Sequence, residues 1–123
     1  MGSWARPIIY IQVYPDHLMA RALGGERSIR RDCHGLDNRR GPVKDFSLIR
    51  VLLKEMVREL ALGFRLRRPT ALMHFITEHF TPSQKELEQF KRTAERAGVS
   101  FCWMSKWEEP HTDKELTDFF GAL

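Results

Sequence analysis

The sequence predicts an α/β domain built around a mixed five-stranded sheet. Its first third contains three strand-like segments separated by turn residues, and the rest alternates helical and strand-like segments. Strands joined by short turns are typical of an antiparallel meander, and strands alternating with helices are typical of parallel βαβ units. A chain of 123 residues is long enough for one domain with its own core. We therefore expect a single domain over residues 7–123, after a tail at residues 1–6 that includes tag-like residues.

The predicted meander begins with residues 8–14, which are mostly β-branched or aromatic and favour a buried strand that stops at Pro15-Asp16. Residues 17–23 form the second predicted strand and end at Gly24-Gly25. Residues 26–32 alternate in side-chain character as the third strand. Two tight turns therefore connect three short antiparallel strands.

A polar connector at residues 34–44 leads to the clearest helix, which begins at Asp45, a side chain suited to the N-cap. Apolar residues recur along it at helical spacing and predict one face packed on the core: Leu48, Ile49, Leu52, Leu53, Met56, Val57 and Leu60. Gly63 and Pro69 bracket the exit of this helix. Residues 70–76 are then a mostly apolar run of strand length, as expected of a strand that is covered on both faces.

A second helix is predicted to run from Thr81 as the N-cap, with Pro82 at the first helical position, to a stop at Gly98. Residues 99–104 follow as a further buried strand, and residues 112–120 as a last helix. Because a helix of this length separates two strands, those strands are predicted to be parallel.

The cysteine count and the apolar runs indicate the compartment. Cys33 and Cys102 lie far apart and match neither a zinc nor a redox spacing, so we expect a reducing, cytoplasmic environment. The N-terminus has no signal-peptide pattern, and no apolar run approaches the ~20 residues of a membrane span. A soluble protein without a membrane span is therefore predicted.

Net charge and the aromatic residues suggest candidate contact surfaces. The net charge is +4 with a pI near 9.4, and the basic residues of the N-terminal half include Arg27, Arg30, Arg31, Arg39 and Arg40. The favoured interpretation is solvated loops and strand edges, since exposed aromatics or a recognition helix beside these arginines are not evident. Trp103 and Trp107 flank the exit of the last strand and could anchor a protein partner, although packing is the commoner role of such residues.

Two further residue pairs contain side chains that can act as a nucleophile or bind a metal, but neither pair forms a complete site. Cys33-His34 resembles a thiolate–imidazole pair, but neighbours on an extended chain point to opposite faces, so an inert cysteine and a solvent-facing histidine are expected. His74 and His79 flank the end of the central strand, and their spacing places them on opposite faces with no third ligand near in sequence. A satisfied structural His74, an exposed His79 and no metal site are therefore predicted.

The order β-β-β-α-β-α-β-α and four short segments point to a known family. These segments are Gly41-Pro42-Val43-Lys44-Asp45-Phe46, Pro69 before the central strand, Ala94-Glu95-Arg96-Ala97-Gly98, and Glu108-Glu109-Pro110. Together they resemble the first domain of MreB, the bacterial actin homologue of rod shape, over nearly the whole chain. The resemblance implies an α/β fold of the ribonuclease-H-like, actin-like class.

Departures from the family pattern determine the functional expectation. The resemblance implies that ATP would be held at a glycine-rich turn after an Asp on the first strand. Here Gln12 stands at the position of that Asp, and Tyr14 and Pro15 replace small residues. The sequence also ends at Leu123, ahead of the second phosphate turn and second domain of the family. We therefore expect no nucleotide or other cofactor and no catalytic residues.

Two enzymatic interpretations compete with this expectation. Glu86 falls on the glutamate that assists ATP hydrolysis in the resembled family, and it is interpreted here as a solvated helix residue. A nuclease of the ribonuclease-H class needs several converging carboxylates around metal ions. Asp16 lies in a turn beyond the first strand, and Asp32 and Asp45 have no evident reason to converge on it.

The sequence thus predicts a non-catalytic, MreB-like module that acts through protein contacts, with a cytoskeletal or regulatory role. Its expected partner is a protein, with an MreB-family filament protein suggested by the resemblance alone. A homodimer is also expected to be feasible, because a sheet cut from a larger fold leaves strand edges to cover. The alternative is a basic nucleic-acid-binding adaptor that uses the arginine cluster.

Overall fold

The computed structural model describes residues 7–61, 68–78 and 80–121. The order of elements is the predicted one. Its bounds are β1 (Ile8–Val13), β2 (His17–Ala22), β3 (Ser28–Asp32), α1 (Phe46–Leu60), β4 (Thr70–Ile76), α2 (Gln84–Arg96), β5 (Phe101–Trp107) and α3 (Asp113–Gly121). The predictions for Gly63 and His79 lie outside the described residues.

The five strands form one mixed sheet in the order β3-β2-β1-β4-β5. β1, β2 and β3 pair antiparallel, which confirms the predicted meander. β4 pairs parallel with both β1 and β5, which confirms the predicted crossover. The first two parallel strands, β1 and β4, lie at the centre of the sheet, whereas β5 lies at its edge.

The core has two layers because the central strands are covered on both faces. Ile9, Ile11 and Val13 of β1 belong to the larger apolar cluster, which also contains buried residues of α1 and α2. Ile8 and Tyr10 belong to a smaller cluster with buried residues of α3. Burial on both faces explains why β1 is a nearly continuous apolar run in the sequence rather than an alternating one.

α1 begins as predicted. The side chain of Asp45 accepts a hydrogen bond from the backbone N–H of Leu48 at 3.1 Å. This N-cap satisfies one of the amides that the first turn of a helix leaves without a partner. None of the helices within the described ranges is both long and apolar enough for a membrane crossing.

The predicted start of α2 is wrong by two residues. Ser83, rather than Thr81, is the N-cap, and Pro82 precedes the helix as a buried residue. The side chain of Ser83 accepts from the N–H of Glu86, and the carboxylate of Glu86 accepts from the N–H of Ser83. This reciprocal capping box satisfies two amides and therefore prevails over a cap at Thr81. The end of the helix was predicted correctly, since Gly98 has φ +125°.

β5 also differs from its prediction. It runs over Phe101–Trp107 rather than residues 99–104, and it is an edge strand rather than a fully buried one. Phe101 and Trp107 are 40% and 60% exposed. The apolar sequence indicates a strand that is buried on both faces. Among the described residues, however, β5 has a neighbouring strand on one side only, and the side chains at its two ends are exposed.

Candidate functional site

The turn between β1 and β2 is the segment in which the sequence resemblance predicted the counterpart of a phosphate-holding turn. The N–H of Tyr14 donates to the carbonyl of His17 at 3.0 Å, and Pro15 has no N–H. The Tyr14 ring stacks on the His17 ring, with centroids 4.3 Å apart and planes 7° apart. The Tyr14 hydroxyl donates to Oε1 of Gln12 at 2.7 Å. The turn is therefore closed by its own bulky side chains.

The same turn is fastened to the loop that follows β3. The N–H of Cys33 donates to the carbonyl of Asp16 at 2.9 Å, and the N–H of Leu36 donates to that of Pro15 at 3.3 Å. The Asp16 carboxylate lies 2.6 Å from Nδ1 of His17. This hydrogen bond is the main reason why the pKa of Asp16 lies below its usual value. Both the backbone and the carboxylate of the turn thus have partners within the protein.

A cavity of about 760 Å³ lies between this turn and the start of α1. Its lining includes Asp16, Asp37 and Asp45. The structure therefore places Asp45 beside the same cavity as Asp16, although no convergence of these two residues was predicted. Each has a partner: Asp16 has His17, the Asp37 carboxylate lies 2.5 Å from Arg39, and Asp45 caps α1.

Within residues 7–61, 68–78 and 80–121, no group of three His, Cys, Asp or Glu side chains is arranged to hold a metal ion.

Glu86 fastens the loop before α1 to the start of α2. Although it was predicted to be solvated, it is only 5% exposed. Its Oε1 accepts from Nδ2 of Asn38 at 2.8 Å and from the N–H of Ser83 at 2.9 Å, and its Oε2 accepts from the N–H of Val43 at 3.0 Å. Burial by itself raises the pKa of Glu86, but these donors outweigh it and hold the pKa below its ordinary value. Glu86 is therefore a buried, ionised clamp.

A second polar centre lies under α3, on the opposite face of the sheet. The N–H of His111 donates to the Tyr10 hydroxyl at 2.8 Å, and that hydroxyl lies 2.6 Å from Nδ1 of His74. Nε2 of His74 lies 3.2 Å from the carbonyl of Trp107, and Nε2 of His111 lies 3.0 Å from Oγ of Ser105. Because a carbonyl only accepts, Nε2 of His74 carries the proton and Tyr10 donates to Nδ1.

This arrangement keeps His74 neutral. Burial, followed by the charge of His111, lowers the pKa of His74 to about 4. The two imidazole rings stack with centroids 4.1 Å apart, so protonation of both would place two positive charges in contact. Burial likewise raises the pKa of Tyr10 to about 12. The structure confirms the prediction of a satisfied, structural His74.

The arginine cluster is divided by the pleat of β3. Arg31 faces α1, where it pairs with Glu59 and lies 3.8 Å from Glu55. Arg27 also pairs with Glu59, at 3.1 Å. Arg30 is on the other face, because neighbouring side chains of a strand alternate, and it pairs with Asp32 at 3.0 Å.

The two remaining arginines of the predicted cluster, Arg39 and Arg40, line the cavity beside the β1–β2 turn. Arg39 is paired there with Asp37. The five arginines therefore do not form one surface: some face α1, one lies on the opposite face of the sheet, and two line the cavity. Most of them are paired with a nearby carboxylate.

Exposed aromatic residues gather around β5. The Trp103 ring contacts Phe101 and Phe119 edge to face, with centroids 4.8 Å and 5.8 Å apart. Nζ of Lys91 lies 3.8 Å from the centroid of Phe101. Trp103 is half-buried, whereas Trp107 at the end of the strand is exposed. Of the two predicted anchors, Trp107 therefore offers the larger free surface.

The two cysteines are buried thiols. Burial raises the pKa of Cys33, and it raises the pKa of Cys102 to about 12. His34 is exposed and lies next to Cys33 only in sequence. An unactivated cysteine beside a solvent-facing histidine was predicted, and the structure confirms it.

Two of these features were missed in the sequence. Ser83 and Glu86 have the spacing of a capping box, which could have indicated both the start of α2 and an oriented Glu86. The role of His111 had no comparable local signal, because its contact with Tyr10 joins positions 101 residues apart.

Comparison with solved structures identifies the fold. MreB 5 of Spiroplasma citri, solved with AMPPNP bound, superposes with a TM-score of 0.58 and 13% identity over 85% of this chain. The type II variant of the Ppx/GppA phosphatase of Aquifex aeolicus superposes with a TM-score of 0.50 and 12% identity over 82% of this chain. No family model and no curated protein matches the sequence.

The chain spans 39% of the MreB 5 chain and 36% of the phosphatase chain. At such low identity the likeness establishes architecture rather than activity. The protein has the actin-like, ribonuclease-H-like α/β fold, with a mixed five-stranded sheet between α1 and α2 on one face and α3 on the other.

Proposed function

We propose that this chain is a nucleotide-independent actin-like domain that acts through contacts with protein. The β1–β2 turn is the observation that carries this proposal. A turn that holds phosphate presents several backbone N–H groups to the ligand and needs small residues for close approach. Here the N–H of Tyr14 is bonded within the turn, Pro15 has no N–H, and the Tyr14 ring lies against His17.

The residue at the position of the family's Asp supports the same conclusion. Gln12 carries no charge with which to organise a metal–phosphate complex, and its Oε1 already accepts from Tyr14. MreB 5 of Spiroplasma citri binds AMPPNP, but this chain spans 39% of that protein. Nucleotide binding is therefore not carried over to this chain.

The surroundings of Glu86 argue against a catalytic role for it. A carboxylate that activates water must direct an oxygen toward the reacting molecule. Both oxygens of Glu86 instead accept hydrogen bonds from Asn38, Ser83 and Val43, and the side chain is almost fully buried. We assign it the task of holding the loop before α1 in place.

Protein contacts remain as the function that the surface favours, because exposed large aromatics concentrate around β5. Such residues are enriched where proteins bind each other and are seldom grouped on free surfaces. The resemblance to MreB adds a filament protein of that family as an expected partner, in a cytoskeletal or regulatory role.

A thermal unfolding experiment with ATP and magnesium tests the proposal. A site occupied at a hundredfold excess over its Kd would stabilise the native state by about 2.7 kcal/mol and raise the Tm by roughly 10 °C. We expect no greater shift with millimolar ATP than with tripolyphosphate at matched ionic strength, which controls for general anion binding. A larger, magnesium-dependent shift with ATP would refute the proposal.

A further inference from the structure

The outer side of β5 is a strand edge without a partner strand among the described residues. The carbonyl of Trp107, the last residue of the strand, accepts from the N–H of Thr77, just after β4, at 2.9 Å. Since backbone groups alternate in direction along a strand, Phe101, Trp103 and Ser105 share this direction toward β4, and Cys102, Met104 and Lys106 turn theirs away from it. Such a row of outward N–H and C=O groups is a template for another strand.

The residues along this edge are unusually apolar for one that faces water. Phe101, Trp107 and Phe119 are 40%, 60% and 38% exposed, and Trp103 joins Phe101 to Phe119. Proteins commonly protect an exposed edge with charges, prolines or bulges. Here only Lys106 provides a charge within the strand, so the edge is suited to be covered.

We propose that β5 pairs antiparallel with β5 of a second copy of this chain, about a two-fold axis at Met104. The two sheets would then form one continuous sheet. This inference names the partner for the contact function proposed above and rests on that function.

The side chains are complementary in this register. Met104 is the middle residue of Phe101–Trp107, so Phe101 lies opposite Trp107 of the second copy, and Trp103 lies opposite Ser105. The two-fold axis repeats each pair. Aromatic pairs across strands are stabilising, and the small Ser105 leaves room beside the large Trp103.

The charges at the two ends of β5 are also complementary. At the start of the strand, the guanidinium of Arg68 donates to the carbonyl of Val99 at 2.8 Å, and Lys91 lies over Phe101. At the other end, the exposed Glu108 and Glu109 follow Trp107. An antiparallel pair places the basic end of each copy beside the acidic end of the other, whereas a parallel pair would align like charges.

The backbone limits the ladder to the middle of the strand. The carbonyl of Trp107 accepts from the N–H of Thr77 at 2.9 Å, so it is directed toward β4. The inter-copy ladder is therefore formed by the backbone groups of Cys102, Met104 and Lys106, and Trp107 contributes its side chain. Because this contact is small, we expect dissociation in the micromolar range.

Cysteine cross-linking tests the register. A residue on a two-fold axis between antiparallel strands, at a hydrogen-bonded pair such as Met104 would form, has its two Cα atoms about 5.5 Å apart, within reach of a disulfide. Met104→Cys is expected to form a covalent dimer on mild oxidation. Ser105→Cys is the matched control, since it faces Trp103 in this register and would link to itself only in a shifted one. The native protein should not link, because Cys33 and Cys102 are buried.

Sedimentation equilibrium tests the association itself. Phe101→Lys removes two aromatic pairs per dimer and should weaken self-association roughly tenfold or more. Val51→Lys makes a comparable change on an exposed residue of α1 and should leave it unaltered. A native protein that stays monomeric at high micromolar concentration, or equal linking by Ser105→Cys and Met104→Cys, would overturn the inference. Neither result would alter the nucleotide experiment, so the two proposals fail separately.

Discussion

Removal of the Glu86 carboxylate should destabilise the domain by about 3 kcal/mol, because each hydrogen bond to a charged group contributes ~1.5–3 kcal/mol and a buried unpaired donor is costly. In Glu86→Ala, the N–H of Val43 loses its acceptor, and the amide of Asn38 keeps only the carbonyl of Thr81. The capping box at Ser83 is lost as well. Water entering the gap would recover part of this loss, so the expected value lies below the sum of three separate bonds.

Urea unfolding at neutral pH measures this effect. Glu88→Ala is the matched control, because Glu88 lies on the exposed side of the same helix. It should cost no more than about 0.5 kcal/mol, as substitutions at such positions usually do. A difference between the two variants of less than about 1 kcal/mol would refute the clamp, since one charged hydrogen bond is worth more than that.

The pH dependence of the same pair gives an independent check. The pKa of Glu86 is lowered in the folded state, so its contribution to stability is present above the unfolded pKa and is lost as the pH falls through the folded value. The stability difference between the native protein and Glu86→Gln should therefore shrink below about pH 4. A constant difference across that range would contradict an ionised clamp.

Three further results are expected. Folding lowers the pKa of His74 from 6.5 to about 4. Between about pH 7 and about pH 5, the free energy of unfolding of the native protein should therefore decrease by about 2 kcal/mol more than that of His74→Gln, as measured by chemical unfolding. Parallel plots of unfolding free energy against pH for the two proteins would contradict this. Cys33 and Cys102 should react with a thiol reagent only in denaturant, and rapid reaction of the folded protein would show that burial is misjudged. Replacing Arg39 and Arg40 with alanine should not change the electrophoretic mobility of nucleic acid mixed with the protein at low salt. A salt-sensitive complex that forms with the native protein and is lost in that variant would favour the nucleic-acid-binding adaptor instead.

The sequence was sufficient for features that depend on neighbouring residues. Thr70–Ile76 was predicted at its observed bounds, because an uninterrupted apolar run after Pro69 leaves few alternatives. Asp45 and Gly98 were recognised as helix ends, since each has a local chemical reason to be there. The resemblance in element order and short segments led to the fold class that comparison with solved structures supports.

Features that depend on distant contacts could not be predicted in this way. The sequence indicates a solvated Glu86, because its hydrogen bond with Asn38 joins residues 48 positions apart and leaves no local signal. The apolar sequence of β5 fits a central strand as well as an edge strand, and only the strand order distinguishes the two. Arg30 and Arg31 were treated as one cluster, although the pleat directs them to opposite faces of the sheet.

A ¹⁵N–¹H correlation spectrum recorded during a titration with magnesium and ATP tests, at the residues concerned, whether the β1–β2 turn holds nucleotide. We expect the amide signals of Tyr14, Asp16 and His17 to stay in place, because the turn is closed by its own hydrogen bonds and by the stacked rings. Saturable movement of those three signals, absent with tripolyphosphate, would show that the turn binds nucleotide.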